Sequence, residues 1–492
     1  MSGSKIKKEI NMNNDNIFIK QILNMTDDDC DVTDFRVEGH TKYITVEKRS
    51  SNQYCPVCGS RLYSKGKITR HPNNPVLQDG YELDITLIGR RWKCSSSECT
   101  YTCVDQYSFI EAGKKNTKLV PLMIIRAMKD IHLTCRQVAE RYNVSDTYVH
   151  ETFMRYVSLP RLPLSLIISI DEVYLNISPS EKYAVVIMDF QTGNIIDIVS
   201  SRWKEKMDSY WLSIPEEERD SVCFLISDMY NPYINYTKKY FKNAISIIDS
   251  FHVIKWINSS ILTYINRVKK RYEAEDEKRL IEKNMATNRD HQTIKKSREL
   301  YILTHAKWVL LEDSDDVRDN GRRYNYVLRQ YLDSTDWIKM YLDLDPKFPQ
   351  IRELRQLYED FNKGYINDPD GASQRLDELI SIYSESEIYF FRDFSKTLKK
   401  YKQGIINSFI YTTKQESSTH KEVLRRMSNG PMESFNNIPS SFRSQSHGIS
   451  NFEFVRNRIL WSSRDDAGIL GVPKSKKEIQ TCTSKKRGKY KK

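Results

Sequence analysis

The chain has 492 residues, 39% hydrophobic and 29% charged, a balance that excludes a disordered or fibrous protein and, at roughly 150 residues per domain, points to about three domains. No run of about 18 apolar residues is present, and the opening MSGSKIKKEINMNND has no apolar segment, so neither a membrane span nor a secretory leader is expected. The net charge of +12 and the basic segment KSKKEIQTCTSKKRGKYKK predict a polyanionic partner, nucleic acid ahead of an acidic membrane surface.

Nine cysteines, an odd number without a leader, argue against a disulfide framework and for a reducing cytoplasm. Most fall early in the chain. YCPVCGSRLYSKG carries a C-x2-C knuckle, Cys55 and Cys58, with Gly59 placed to bend the backbone towards the sulfurs. RRWKCSSSECTYTC supplies Cys94 and Cys99, with four residues between them, after a 35-residue interval whose alternating stretch YELDITLIGRRWKC reads as a strand. Two such pairs on hairpins close a tetrahedral, structural Zn²⁺ site. Cys103 is an alternative to Cys99 and His71 a weaker one, while Cys30, Cys135 and Cys223 read as packed core thiols.

Residues 119–156 read as an apolar helix followed by two short ones. Thr134 caps a helix through Val138 and Ala139, Asn143 makes a turn, and Ser145 caps a helix through Val149 and Phe153. That is the pattern of a helix-turn-helix, which would present Asp146, Thr147, Tyr148 and His150 to a DNA major groove.

From residue 164 apolar runs take over. LSLIISIDEVYL ends in Asp171 and Glu172, KYAVVIMDF and IIDIVSSRW form a hairpin at Gly193, SVCFLISDMY ends in Asp228, and AISIIDSFHVIKW reads as a strand ending in Asp249 and His252. Helices are expected at KEKMDSYWLSIPEEERD and NPYINYTKKYFKNA. The resulting order, β-β-β-α-β-α-β, is that of a ribonuclease-H-like fold, whose first and fourth strands are neighbours; Asp171 and Asp228 would then meet. Two carboxylates held together repel unless cations intervene. Mg²⁺, a hard ion completed by waters and phosphate oxygens, suits them, and two ions about 4 Å apart can activate a nucleophile and stabilise a leaving oxygen.

The stretch 258–425 reads as amphipathic helices, an all-helical insertion. NGPMESFNN follows it. Asn-Gly bends the chain, Pro431 suits a first helical turn, and Glu433 lies in that turn, either as a cap facing the helix dipole or as a third carboxylate for the site upstream. Pro439 should kink or shorten this helix.

Together, CPVCGS with RRWKC, the helix-turn-helix, IDE, SDMYNPY, DSFHVIKW and NGPMESFNN…HGISNFEFVRNRIL resemble the bacterial insertion-sequence transposases of the ISL-three group, within the DDE class. The resemblance spans nearly the whole chain. It implies Asp171, Asp228 and Glu433 as a triad binding two Mg²⁺ (or Mn²⁺), double-stranded DNA as substrate (terminal inverted repeats and target), a homodimer to join two ends, and a bacterial cytoplasm. Asn436, Arg443 and His252, with Asp249, are second candidates for positioning DNA. The implied division is a zinc-binding domain over 1–110, a helix-turn-helix domain over 111–160, a core over 161–257 and 426–465 carrying the insertion 258–425, and a basic tail over 466–492. The competing expectation is a DNA-binding regulator built on the same scaffold without catalysis.

Overall fold

The computed structural model describes residues 20–21, 25–74, 80–110, 115–287, 297–318, 321–415, 422–445 and 451–480. Residues 481–492, the last part of the expected basic tail, lie outside them. The chain divides into two compact units, residues 1–160 with 438–492, and residues 161–437.

The first unit opens on a mixed sheet, ordered β1 (Cys30–Glu38), β2 (Thr41–Lys48), β4 (Glu82–Cys94), β3 (Leu62–Arg70), with β5 (Thr102–Val104) also on β4. Alternation puts Leu83, Ile85 and Leu87 of β4 into a core with Ile44, Val46 and Tyr107. Cys30 is buried in that core, as expected. Three helices follow: α1 (Leu119–Ala127), α2 (Cys135–Arg141) and α3 (Asp146–Tyr156). Thr134 and Gln137 form a reciprocal capping box, Ser145 accepts from the Tyr148 N–H, and Asn143 takes a positive φ of 51° in the turn between. The two capped helices and the turn between them stand where the sequence predicts them. Cys135, first in α2, is only half-buried.

The second unit is built on a sheet ordered β10 (Ile245–Ile248), β9 (Phe224–Ser227), β6 (Ile167–Tyr174), β7 (Tyr183–Asp189), β8 (Ile195–Val199). β6–β7–β8 is an antiparallel meander, whereas β6, β9 and β10 run parallel. Helices α4 (Lys204–Leu212) and α5 (Glu216–Asp220) precede β9, and α6 (Asn231–Ile234) and α7 (Tyr236–Lys239) precede β10. Near-continuous burial of Ala184–Met188 and Ile195–Ile198 reflects a sheet covered on both faces.

Several local expectations change. Strand β10 stops at Ile248, and Ser250 already opens the 38-residue helix α8 (Ser250–Thr287), so His252 is helical rather than a strand end. Cys223 is exposed, because it stands ahead of β9 while Val222 and Leu225 fill the core. The stretch 258–425 is not wholly helical. It has α9 (Arg298–His305), α10 (Trp308–Leu311), α11 (Ser334–Leu342), α12 (Phe348–Lys363), α13 (Pro369–Glu385) and α14 (Tyr389–Asn407), but also the hairpin strands β11 (Arg323–Asn325), β12 (Gln330–Leu332) and β13 (Tyr411–Gln415); β14 (Glu422–Arg426), which pairs with β13, closes it. These strands are three to five residues long, too short to show a period of two.

Helix α15 (Gly430–Gln445) passes through Pro439 without ending. Proline removes only one helical donor, and six more residues propagate the helix beyond it. The next helix, α16 (Phe452–Ser463), packs in the first unit: Trp461 Nε1 donates to Ile125 O at 3.1 Å, and the fully buried Arg458 donates to the Asp130 and Leu133 carbonyls. Among the described residues no helix is long and apolar enough to cross a membrane.

Candidate active site

Strand register brings three acids to one level. Ser169 of β6 pairs with Ile226 of β9, and Ser227 of β9 with Ile248 of β10. Continued by two residues and by one, these registers set Asp171, Asp228 and Asp249 abreast on parallel neighbours about 4.8 Å apart. Residues level on parallel strands point to the same face. Asp171 is not a strand end, since β6 runs on to Tyr174 against β7, but it lies past the stretch paired with β9.

Glu433 reaches the same place from α15, and Asn429 aims it. Asn429 is fully buried: its Nδ2 donates to Ile170 O at 3.2 Å, its N–H to Asp249 Oδ1 at 3.3 Å, and its carbonyl accepts the Glu433 N–H at 2.9 Å. The helix start is thereby tied to β6 and to the end of β10. One turn on, Asn436 Nδ2 donates to Asp171 Oδ2 at 2.8 Å, so Glu433 and Asn436 present one helix face to the acids. His252, in the first turn of α8, brings Nε2 to 3.8 Å from Asp249 Oδ2 and 3.9 Å from Glu433 Oε1.

Removal from water disfavours the charged form of each carboxylate. Burial raises Asp171, Asp249 and Glu433 above their ordinary values, the charge of Asp249 adding to the rise at Glu433. Burial pushes Asp228 up to about 6, with the charges of Glu172 and Asp171 adding. Glu172 is engaged elsewhere, accepting from Arg202 at 2.7 Å and the Tyr233 hydroxyl at 2.8 Å. Beside Asp228 opens a cavity of about 500 Å³ along one face of α8, lined by His252, Lys255, Ser259 and Thr263. The arrangement suits divalent cations and a phosphate chain, which supply the positive charge and the oxygens that crowded carboxylates lack.

In the first unit the Cys55 and Cys99 sulfurs lie 3.7 Å apart and those of Cys58 and Cys94 3.4 Å, all four being within 4.8 Å of one another. Tetrahedral Zn²⁺ with bonds of about 2.3 Å sets sulfurs roughly 3.8 Å apart, so the cluster fits that ion. Gly59, at φ 72°, turns its N–H onto the Cys55 carbonyl, and hydrogen bonds from Ser60 lower the Cys58 thiol to about 6. Neither Cys103 nor His71 joins the cluster.

The helix-turn-helix residues divide. Asp146 and Thr147 are exposed and Tyr148 is half-buried. His150 stacks on Phe454 of α16, ring centroids 4.4 Å apart, and burial lowers its pKa. It is thus a packing residue rather than one open to a groove. Arg443 is half-buried, ten residues after Glu433 on the same helix. The residue not foreseen is Asn429; its only sequence signal was an asparagine just ahead of a Gly-Pro helix start.

A family model described as transposase, that of the ISL-three DDE group, matches residues 168–459, more than half of the chain. The chain belongs to the ISL-three family of DDE transposases. No curated protein matches it. The matched residues of this transposase include Asp171, Asp228, Asp249, His252 and Glu433, whereas the four clustered cysteines precede them. Membership implies DNA as the substrate and divalent metal ions as cofactors.

Proposed function

We propose that this transposase binds the terminal inverted repeats of its own insertion sequence, cuts a strand at each end in a Mg²⁺-dependent reaction and joins the freed 3′-hydroxyl to target DNA. The observation that carries this reading is the register that sets Asp228, just past β9, level with Asp171 of the parallel strand β6, while Asn429 ties the helix start that bears Glu433 to β6. The strand order β10-β9-β6-β7-β8 supports a ribonuclease-H-like core, with 258–425 as its insertion.

The acids fit divalent ions, because burial disfavours the charge on each of these carboxyl groups and a bound cation restores it. Asp171, Asp228 and Glu433 would hold two Mg²⁺, which when bound supply an activated water or 3′-hydroxyl and neutralise the leaving oxygen. Asn436 holds the Asp171 carboxylate in one orientation. Lys255, on the cavity wall beside Asp228, is placed to meet a DNA phosphate. Cys55, Cys58, Cys94 and Cys99 would hold one structural Zn²⁺, and with Asp146, Thr147 and Tyr148 of the helix-turn-helix they would form the end-recognition part. Two ends to be joined call for a homodimer.

The test is cleavage and strand transfer on oligonucleotides carrying the element ends. Asp171→Asn, Asp228→Asn and Glu433→Gln are each expected to lower Mg²⁺-dependent cleavage by at least about 10³-fold while leaving end binding intact. Cleavage surviving in any of the three removes that residue from the site. Wild-type protein that binds ends but neither cuts nor joins them is instead a regulator.

A further inference from the structure

Three donor atoms beside the acid row converge on one point and none is close enough to bond another. His252 Nε2 lies 3.8 Å from Asp249 Oδ2 and 3.9 Å from Glu433 Oε1, and all three atoms fall within 4.8 Å of one another. Hydrogen bonds span about 2.7–3.2 Å, so these separations are too long for them. Asp249 is 0% exposed, yet Oδ2 has no hydrogen-bond partner, and neither has the buried His252 Nε2. An ionised carboxylate oxygen without a partner in the interior costs several kcal/mol. Such a group persists when something outside the chain completes it.

A cation completes all three at once. Donor–metal bonds of about 2.1 Å at tetrahedral to trigonal angles set donors roughly 3.4–3.7 Å apart, a few tenths of an ångström inside the distances found here. The scaffold is rigid enough to keep the donors in place. Asp249 Oδ1 is held by the Asn429 N–H, His252 lies in the first turn of a 38-residue helix, and the Glu433 N–H bonds to Asn429 O.

We propose that Asp249, His252 and Glu433 form a divalent-cation site with one imidazole ligand, so that the ion on the Glu433 side of this active site is bound through nitrogen as well as oxygen. The proposal rests on the reading of Glu433 as a metal ligand, and it adds Asp249 and His252 to that ion. An imidazole changes which ion is favoured. Mg²⁺ and Ca²⁺ take oxygen ligands, whereas Mn²⁺, Co²⁺ and Zn²⁺ accept nitrogen and gain from it. This position should therefore prefer Mn²⁺ to Mg²⁺ or Ca²⁺, and the preference should depend on His252.

The probe is Mn²⁺ alone, added to the full-length protein without DNA and read by electron spin-echo spectroscopy. Wild-type protein should show modulation from a directly bound ¹⁴N nucleus. The pattern should change to that of ¹⁵N when histidine is isotopically labelled, a control that requires no substitution. It should vanish in His252→Gln, with Mn²⁺ affinity about tenfold weaker, and persist in Asp171→Asn. Bound Mn²⁺ without histidine modulation in the wild type, or modulation unchanged in His252→Gln, overturns the site. The two readings fail separately: cleavage that survives Asp171→Asn sinks the triad even if the nitrogen signal is present, and a missing signal sinks this site even if the triad holds.

Discussion

The two ligand clusters of this transposase are assembled in opposite ways. The four thiols come from two short segments, a C-x2-C knuckle and the end of β4 with the loop after it, and every sulfur faces another at contact distance. Nothing is left open, which is the character of a structural ion site. The acid cluster draws on residues from 171 to 433, contributed by strand β6, the positions just past β9 and β10, and helices α8 and α15, and it keeps unpartnered atoms and a cavity beside it. A closed site contributes to folding, whereas an open one leaves its ion free to meet substrate. On the proposed reading, the ion of the thiol cluster would belong to the fold and that of the acid cluster to the chemistry.

The sharpest way to break that contrast is Cys94→Ser. If the thiols hold a folding ion worth on the order of 10 kcal/mol, the variant should lose its one Zn²⁺ per chain, and β3–β5 should become susceptible to limited proteolysis. Retained protease resistance without zinc would place the thiol cluster in the same class as the acids. By contrast, Asp171→Asn should melt at or above the wild-type temperature when no divalent ion is added, because it removes a charge that burial disfavours.

A smaller effect is expected at the hinge of the acid cluster. Asn429→Ala leaves the buried Ile170 carbonyl without its donor and frees the start of α15. We expect about 1–3 kcal/mol of lost stability by urea denaturation and about a hundredfold loss of cleavage, since Glu433 is no longer aimed. Activity within threefold of wild type would show that Glu433 is held by other contacts.

The pH dependence of the open cluster comes next. Burial raises Asp228 from 3.8 to about 6, so the folded protein keeps a proton that the unfolded chain has already released. In the absence of added divalent ions, its contribution to stability is full at low pH and falls as pH rises through that window, by about 3 kcal/mol. Denaturation midpoints of Asp228→Asn minus wild type, measured from pH 4.5 to 7.5, should show this slope, and Mg²⁺ should flatten it.

The weakest effect lies in the first unit. His150 is depressed by burial against Phe454, so the stability it contributes is present above about 6.5 and is lost as pH falls towards its folded value. His150→Phe should remove that loss and leave end binding unchanged. A binding defect in His150→Phe would return His150 to the DNA-contact set, where the helix-turn-helix pattern first placed it.

Much of the fold was legible because its signals are local. The caps at Thr134 and Ser145, the turn at Asn143, the strand runs around Asp171 and Asp228 and the cysteine spacing all act within a few residues, and each appears where the sequence predicts it. What differs from the sequence pattern lies where one kind of element gives way to another. His252 reads as a strand end because an apolar run cannot mark where β10 yields to α8. Three of the short hairpin strands between residues 323 and 415 were absorbed into the helices around them. Pro439 reads as a kink or a shortening of its helix, yet its neighbours carry that helix six residues past it.

By itself, the sequence determined the chemistry on offer: four thiols spaced for one ion, acids at apolar strands, and Glu433 in the first turn of a helix. Those properties follow from spacing and from which residue types a strand or helix start admits. Only the tertiary structure decided which acids share a level, that Asn429 fastens α15 to β6, and that Asp249 and His252 stand with Glu433. In the acid site, register and helix docking join residues up to 265 positions apart, and no local pattern carries a contact made across that distance.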